Sequence, residues 1–109
     1  MLQQSNFNSG DVVTIKLVSG EEIIGYYVED TMSHITLRKP LVPVQTETGM
    51  GLAPYIMSSN YLREGDGKIP FNKMTVVSSI KTGKEFGNAF TQQVSGLDMS
   101  SQPKTGIIT

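Results

Sequence analysis

Residues 17–37 read LVSGEEIIGYYVEDTMSHITL. Two glycines, Gly20 and Gly25, stand five apart between apolar alternations, and Asp30 and His34 close a short polar run. Upstream, Val12 to Val18 alternates, with Val13, Ile15 and Leu17 on one face and Thr14 and Lys16 on the other. A period of two with a β-branched bias predicts a half-buried strand. Ser19-Gly20-Glu21 predicts a tight turn. Glu22 to Glu29 predicts a second strand, with Ile24, Tyr26 and Val28 on one face. One of Tyr26 and Tyr27 is expected to face the core, the other a neighbouring subunit. Asp30 to Ser33 predicts a polar turn before a third strand from His34.

Outward from that stretch the chain continues in short pieces. Arg38 to Gln45 extends the third strand, and Pro40 and Pro43, which cannot donate ladder hydrogen bonds, mark the extension as an edge or a bulge. A hairpin turn over 47–51 precedes a fourth strand, Leu52 to Met57. Arg63 to Lys68 reads as a charged, Gly-rich part of a loop over 58–73, and Met74 to Ile80 as a fifth strand. Phe86, Phe90 and Val94 recur at helical spacing, which predicts a short helix over 85–94 with the two phenylalanines capping the barrel. Residues 1–10 are expected to be a flexible arm, 11–84 the barrel domain and 95–109 a flexible tail. Five short strands in 109 residues predict a mostly β domain, a small and strongly bent five-stranded barrel of the SH3 or OB type.

Composition narrows the chemistry. The chain has no Cys and a single His, so thiolate metal sites and Cys nucleophiles are excluded and a zinc site is disfavoured. No elbow motif surrounds a serine. The loop REGDGKIPF lacks the spacing of a phosphate-binding P-loop. Neither Glu21/Glu22 nor Glu29/Asp30 shares a site, since strand neighbours point to opposite faces. The expectation is a non-enzyme without cofactor or metal. No secretory signal and no membrane-spanning run is visible, so a soluble cytoplasmic protein is expected. Net charge is −1, but the charges segregate. Residues 1–37 carry one base against five acids, and residues 38–84 carry seven bases against three acids. That asymmetry reads either as one positive face or as an ordinary mixed surface.

The opening stretch also resembles the Sm/LSm family, which includes bacterial Hfq. Ile15-x-Leu17-x-x-Gly20-x-x-Ile23-x-Gly25 matches the first family motif throughout. Asp30-x-x-Ser33-His34-Ile35-x-Leu37 matches it except at Ser33 and His34. Phe71-Asn72-Lys73 loosely resembles the second motif as Hfq has it, and Arg63-Glu64-Gly65 is a poorer match. There is a physical reason for the glycines: Gly20 permits the turn, and Gly25 lets the second strand bend as a small barrel requires. The resemblance implies an Sm-like barrel that assembles into a homo-oligomeric ring by pairing edge strands. It further implies single-stranded nucleic-acid binding, RNA first and DNA second, at the inner rim. Met32, Ser33 and His34 would contact the base, and Arg63, Lys68 and Lys73 the phosphates. Each residue also has a plainer reading. Met32 can be a rim filler, His34 a turn-end histidine with its own partner, and Arg38 and Lys39 solubilising charges on an edge strand. The alternative function is a structural or protein-interaction module of the same fold, with 38–57 as a projecting hairpin. A remote third is an enzyme using His34 and Asp30.

Overall fold

The computed structural model describes residues 7–99, and side chains through residue 96. The expected flexible arm falls within the description only at 7–10, and the expected tail only at 95–99; the rest of both lies outside it. Six strands form one antiparallel sheet: β1 (Val12–Leu17), β2 (Glu22–Asp30), β3 (His34–Thr46), β4 (Gly49–Pro54), β5 (Lys68–Asn72) and β6 (Val76–Lys81). A 3-10 turn, Lys73–Thr75, joins β5 to β6, and one helix, α1 (Lys84–Met99), ends the described chain. The order is β4-β3-β2-β1-β6, with β5 also paired to β3.

The β1–β2 hairpin follows the sequence. Its register runs from Val12 opposite Tyr26 to Lys16 opposite Glu22, and Gly20 turns it at φ +97°. Val13, Ile15 and Leu17 are buried on one face. They join Ile23, Tyr27, Ile35, Leu37 and Phe71 in a first apolar cluster, with Val76 at its margin. Five strands therefore feed one cluster, and the sheet curls around it. Gly25 sits at the bend of β2. A Cβ there would lie 3.0 Å from Leu37 Cβ and 3.3 Å from Pro40 Cα, so bare backbone is what lets β3 pass so close.

The other sheet face carries a second cluster: Ile24, Leu41, Tyr61, Leu62, Phe90 and Val94. This explains why Ile23 and Ile24 are both buried although they point to opposite faces. Here α1 supplies Phe90 and Val94, and the 55–67 connection supplies Tyr61 and Leu62. Tyr61 is tied down on both sides of its hydroxyl. It donates to Pro40 O and accepts from Tyr55 N at 2.6 Å.

Several expectations need correction. The sheet has six strands, not five, because residues 68–72 lie in a ladder against β3 from His34–Asn72 to Arg38–Lys68. Their charged, Gly- and Pro-rich flank hides that strand in the sequence. The fourth strand begins earlier than expected, at Gly49, because the turn is tight, with Thr46 paired to Gly49. The expected fifth strand starts at Val76, its first residues being taken by the 3-10 turn. The helix runs on to Met99 rather than ending at 94. The 38–46 segment is an edge only in part: through Leu41 it pairs with β2 on one side and with β5 or β4 on the other, and from Val42 to Thr46 its one partner among the described residues is β4. The bulge is real, however. Lys39 adopts φ +55° and donates its N–H to Gly67 O at 2.7 Å, where the partner of β3 changes from β5 to β4. Pro43 lies past Leu41, the last β3 residue paired with β2. Tyr26 meets the chain's own helix, 5.0 Å from Phe90 edge to face, and Tyr27 is the one that joins the first cluster. Phe86 is exposed and lines an open groove of about 920 Å³ with Val42, Val44, Met50 and Ile80.

Candidate nucleic-acid interface

The turn between β2 and β3 is held by Thr31. Its hydroxyl accepts the backbone N–H of Ser33 at 3.2 Å and of His34 at 3.1 Å, and its own N–H donates to His34 O at 2.8 Å. Small hydroxyl side chains favour such local turns because they satisfy backbone donors that no ladder reaches. With the backbone closed in this way, Met32 projects almost wholly into solvent at 97% exposure. Ser33 Oγ lies 2.8 Å from His34 Nδ1. When the serine donates, the neutral ring carries its proton on Nε2 and offers an N–H outward.

The corner after β5 comes up against this turn. Asn72 is the registered partner of His34, and Lys73 N donates to Ser33 O at 2.8 Å. Asn72 then caps the 3-10 turn through its side-chain oxygen, which accepts Met74 N at 2.8 Å. Met74 is exposed. Two turns distant in sequence thus share one rim, with two thioethers and an imidazole facing out.

Asp30 lies beneath that rim with both oxygens engaged. Tyr27 donates its hydroxyl to one at 2.9 Å, and the Lys73 ammonium sits 3.2 Å from the other. His34 Nδ1 is turned to Ser33, so the Asp30–His34 pairing that a catalytic reading needs is not made. Among the described residues no group of three or more His, Asp or Glu side chains is placed to hold a metal ion.

Of the six residues singled out in the sequence, Met32, Ser33, His34 and Lys73 meet at the rim. Lys68 does not. It stands at the far end of β5, opposite Arg38. Arg63 lies in the turn that Asn60 O closes by accepting Arg63 N and Glu64 N, and its exposed side chain has no hydrogen bond or ion pair among the described residues. Sequence reasoning missed Thr31 and Met74. The Thr-x-Ser spacing of a hydroxyl-closed turn was there to find, whereas Met74 was hidden inside an apparent strand run. A scan of protein-family models and a search of curated proteins each return no match. Among the described residues no helix is long and apolar enough to cross a membrane.

Proposed function

We propose that this protein binds single-stranded nucleic acid, RNA first, without catalysis, at the rim built from the 30–34 turn and the 72–74 corner. We further propose that the curled sheet is an Sm-like barrel whose copies assemble into a homo-oligomeric ring through the edge strands β4 and β6. The observation that carries the reading is the Lys73 N to Ser33 O bond. It brings the two segments that resemble the two Sm motifs into one surface. Met32 and Met74 then offer polarisable platforms to a base face, and His34 a hydrogen bond or a stacking ring. A ring would repeat this rim around an axis and sum modest fields into a strong one, which suits a subunit of net charge −1.

Fluorescence anisotropy of labelled U-rich, A-rich and mixed oligonucleotides at two salt concentrations, with light scattering on the same sample, tests both halves. Salt-weakened binding by a multi-subunit species, weakened further in His34→Ala, is the expected result. A stable ring that binds none of the oligomers overturns the nucleic-acid half. It would favour the second reading, an interaction module. The observation behind that reading is the apolar edge: Val77 and Ile80 on β6 are about two-thirds exposed, and Ile80 opens onto the groove shared with β3, β4 and α1.

A further inference from the structure

The rim holds a base contact but little free charge. Its lysine, Lys73, is neutralised by Asp30 at 3.2 Å. Lys16 and Lys81 are likewise paired, with Glu22 and Asp11 at 3.7 Å each. By contrast, no ion pair among the described residues involves Arg38 or Lys68, and these two stand directly opposite each other in the β3/β5 ladder. Like charges across a ladder repel, with Cβ atoms about 5 Å apart. Asp66 does not relieve the pair, since its carboxylate accepts the backbone N–H of Lys68 at 3.1 Å rather than meeting the ammonium.

The face on which they stand follows from alternation. Ile35, Leu37 and Phe71 point into the first cluster. His34, Thr36 and Arg38, with Asn72, Pro70 and Lys68 across from them, therefore point the other way. The ladder has His34–Asn72 at one end and Arg38–Lys68 at the other, four residues or about 13 Å apart. Arg38 is also held in place: its guanidinium carbon sits 4.4 Å over the Tyr26 ring, and Phe90 backs that ring. The guanidinium thus leans to the β2 side of β3, while Lys68 stands on the β5 side; a phosphate lying over β3 between them would accept hydrogen bonds from both and offset their repulsion.

We infer that Arg38 and Lys68 form a phosphate site on the face of the β3/β5 ladder turned away from the first cluster, and that a strand whose base occupies the rim runs along this ladder to reach it. The inference rests on the function proposed above and assigns the phosphates to this pair instead of to Lys73.

The test is the salt dependence of oligonucleotide affinity for the full chain. Each phosphate contact on a single strand contributes about 0.7 to the slope of log K against log salt. Lys68→Gln and Arg38→Gln are each expected to lower the slope by about that amount, and Arg38→Lys to restore most of it. His34→Ala is expected to weaken binding with the slope unchanged. Lys84→Gln, an exposed charge at the start of α1, serves as the control and should match wild type. Lys68 is exposed and its removal relieves repulsion, so Lys68→Gln should fold at least as well as wild type and carries the test even where Arg38→Gln loses stability. If wild type binds and His34→Ala weakens it, while Lys68→Gln and Arg38→Gln keep the full slope, the phosphate site is wrong and the rim stands. If wild type binds no oligomer, both readings fall.

Discussion

Asp30 serves two partners at once, and its chemistry sets what Lys73 is free to do. Asp30→Asn keeps an acceptor for the Tyr27 hydroxyl but drops the charge that holds Lys73. Under the proposed function, oligonucleotide binding should tighten and the salt slope rise by about 0.7, since one more cation is released to a phosphate; an unchanged slope would mean Lys73 never faces the strand. Tyr61 makes a prediction about pH. Burial pushes its hydroxyl above the usual tyrosine value of 10.0, against the smaller opposing effect of hydrogen bonds from Tyr55 and Ile56 N–H groups. The folded state thus holds this proton more tightly than the unfolded chain. The resulting stability is intact below about pH 10 and is lost as pH rises through the higher folded value. Urea midpoints measured from pH 8 upward should fall more steeply for wild type than for Tyr61→Phe. At lower pH Tyr61→Phe should cost about 1–3 kcal/mol, because Tyr55 N and Pro40 O lose their partner. Gly25 was legible in the sequence as a bend, since no other residue type allows the same approach. Its exact neighbours, Leu37 and Pro40, depend on a strand at least a dozen residues away and were not.

At the scale of elements, the β1–β2 hairpin could be read directly, because period-two alternation and a positive-φ glycine are local signals. β5 could not. Lys-Ile-Pro-Phe-Asn has two inward residues, Ile69 and Phe71, and a proline between them. What makes it a strand is the existing edge of β3, which accepts it from Asn72 to Lys68. The same dependence explains β3. Pro40 and Pro43 suggested an edge; Pro43 lies where β3 pairs with β4 alone, whereas at Pro40 the bulge at Lys39 and the change of partner let the strand carry a proline between neighbours. The helix was legible as a stripe of Phe86, Phe90 and Val94, but its role was not. It closes a second cluster on the outer face instead of capping one end. Phe90 is fully buried there against Tyr26, so Phe90→Ala should cost about 3–5 kcal/mol in chemical denaturation. Hydrogen exchange should then quicken first in α1 and in the 55–62 segment that shares the cluster.

At the scale of the whole molecule, assembly turns on the unpaired edges of the sheet. Among the described residues β4 and β5 pair only with β3, and β6 only with β1. Such edges invite pairing with another copy, and the most direct way for one chain to satisfy a β6 edge is a neighbour's β4, repeated until the rotation closes. Ile80 is two-thirds exposed in this chain, so Ile80→Lys should leave the monomer folded by circular dichroism. If the proposed ring forms through β6, light scattering should show the variant shifted to smaller species. An unchanged oligomer would place the contact elsewhere.

What the sequence determined by itself was local: the hairpin and its glycines, the polar turn at 30–34, the amphipathic stripe of the helix and the mostly β class. Each follows from short-range sterics and periodicity, which act within a few residues. What only the tertiary structure decided was non-local. It paired β5 with β3, buried Tyr61 against Pro40, brought Lys73 to Ser33 and Asp30, and left Arg38 and Lys68 in register with no ion pair among the described residues. Those outcomes depend on which chain segments the curled sheet brings side by side, and residues twenty or more positions apart carry no mark of one another until it does.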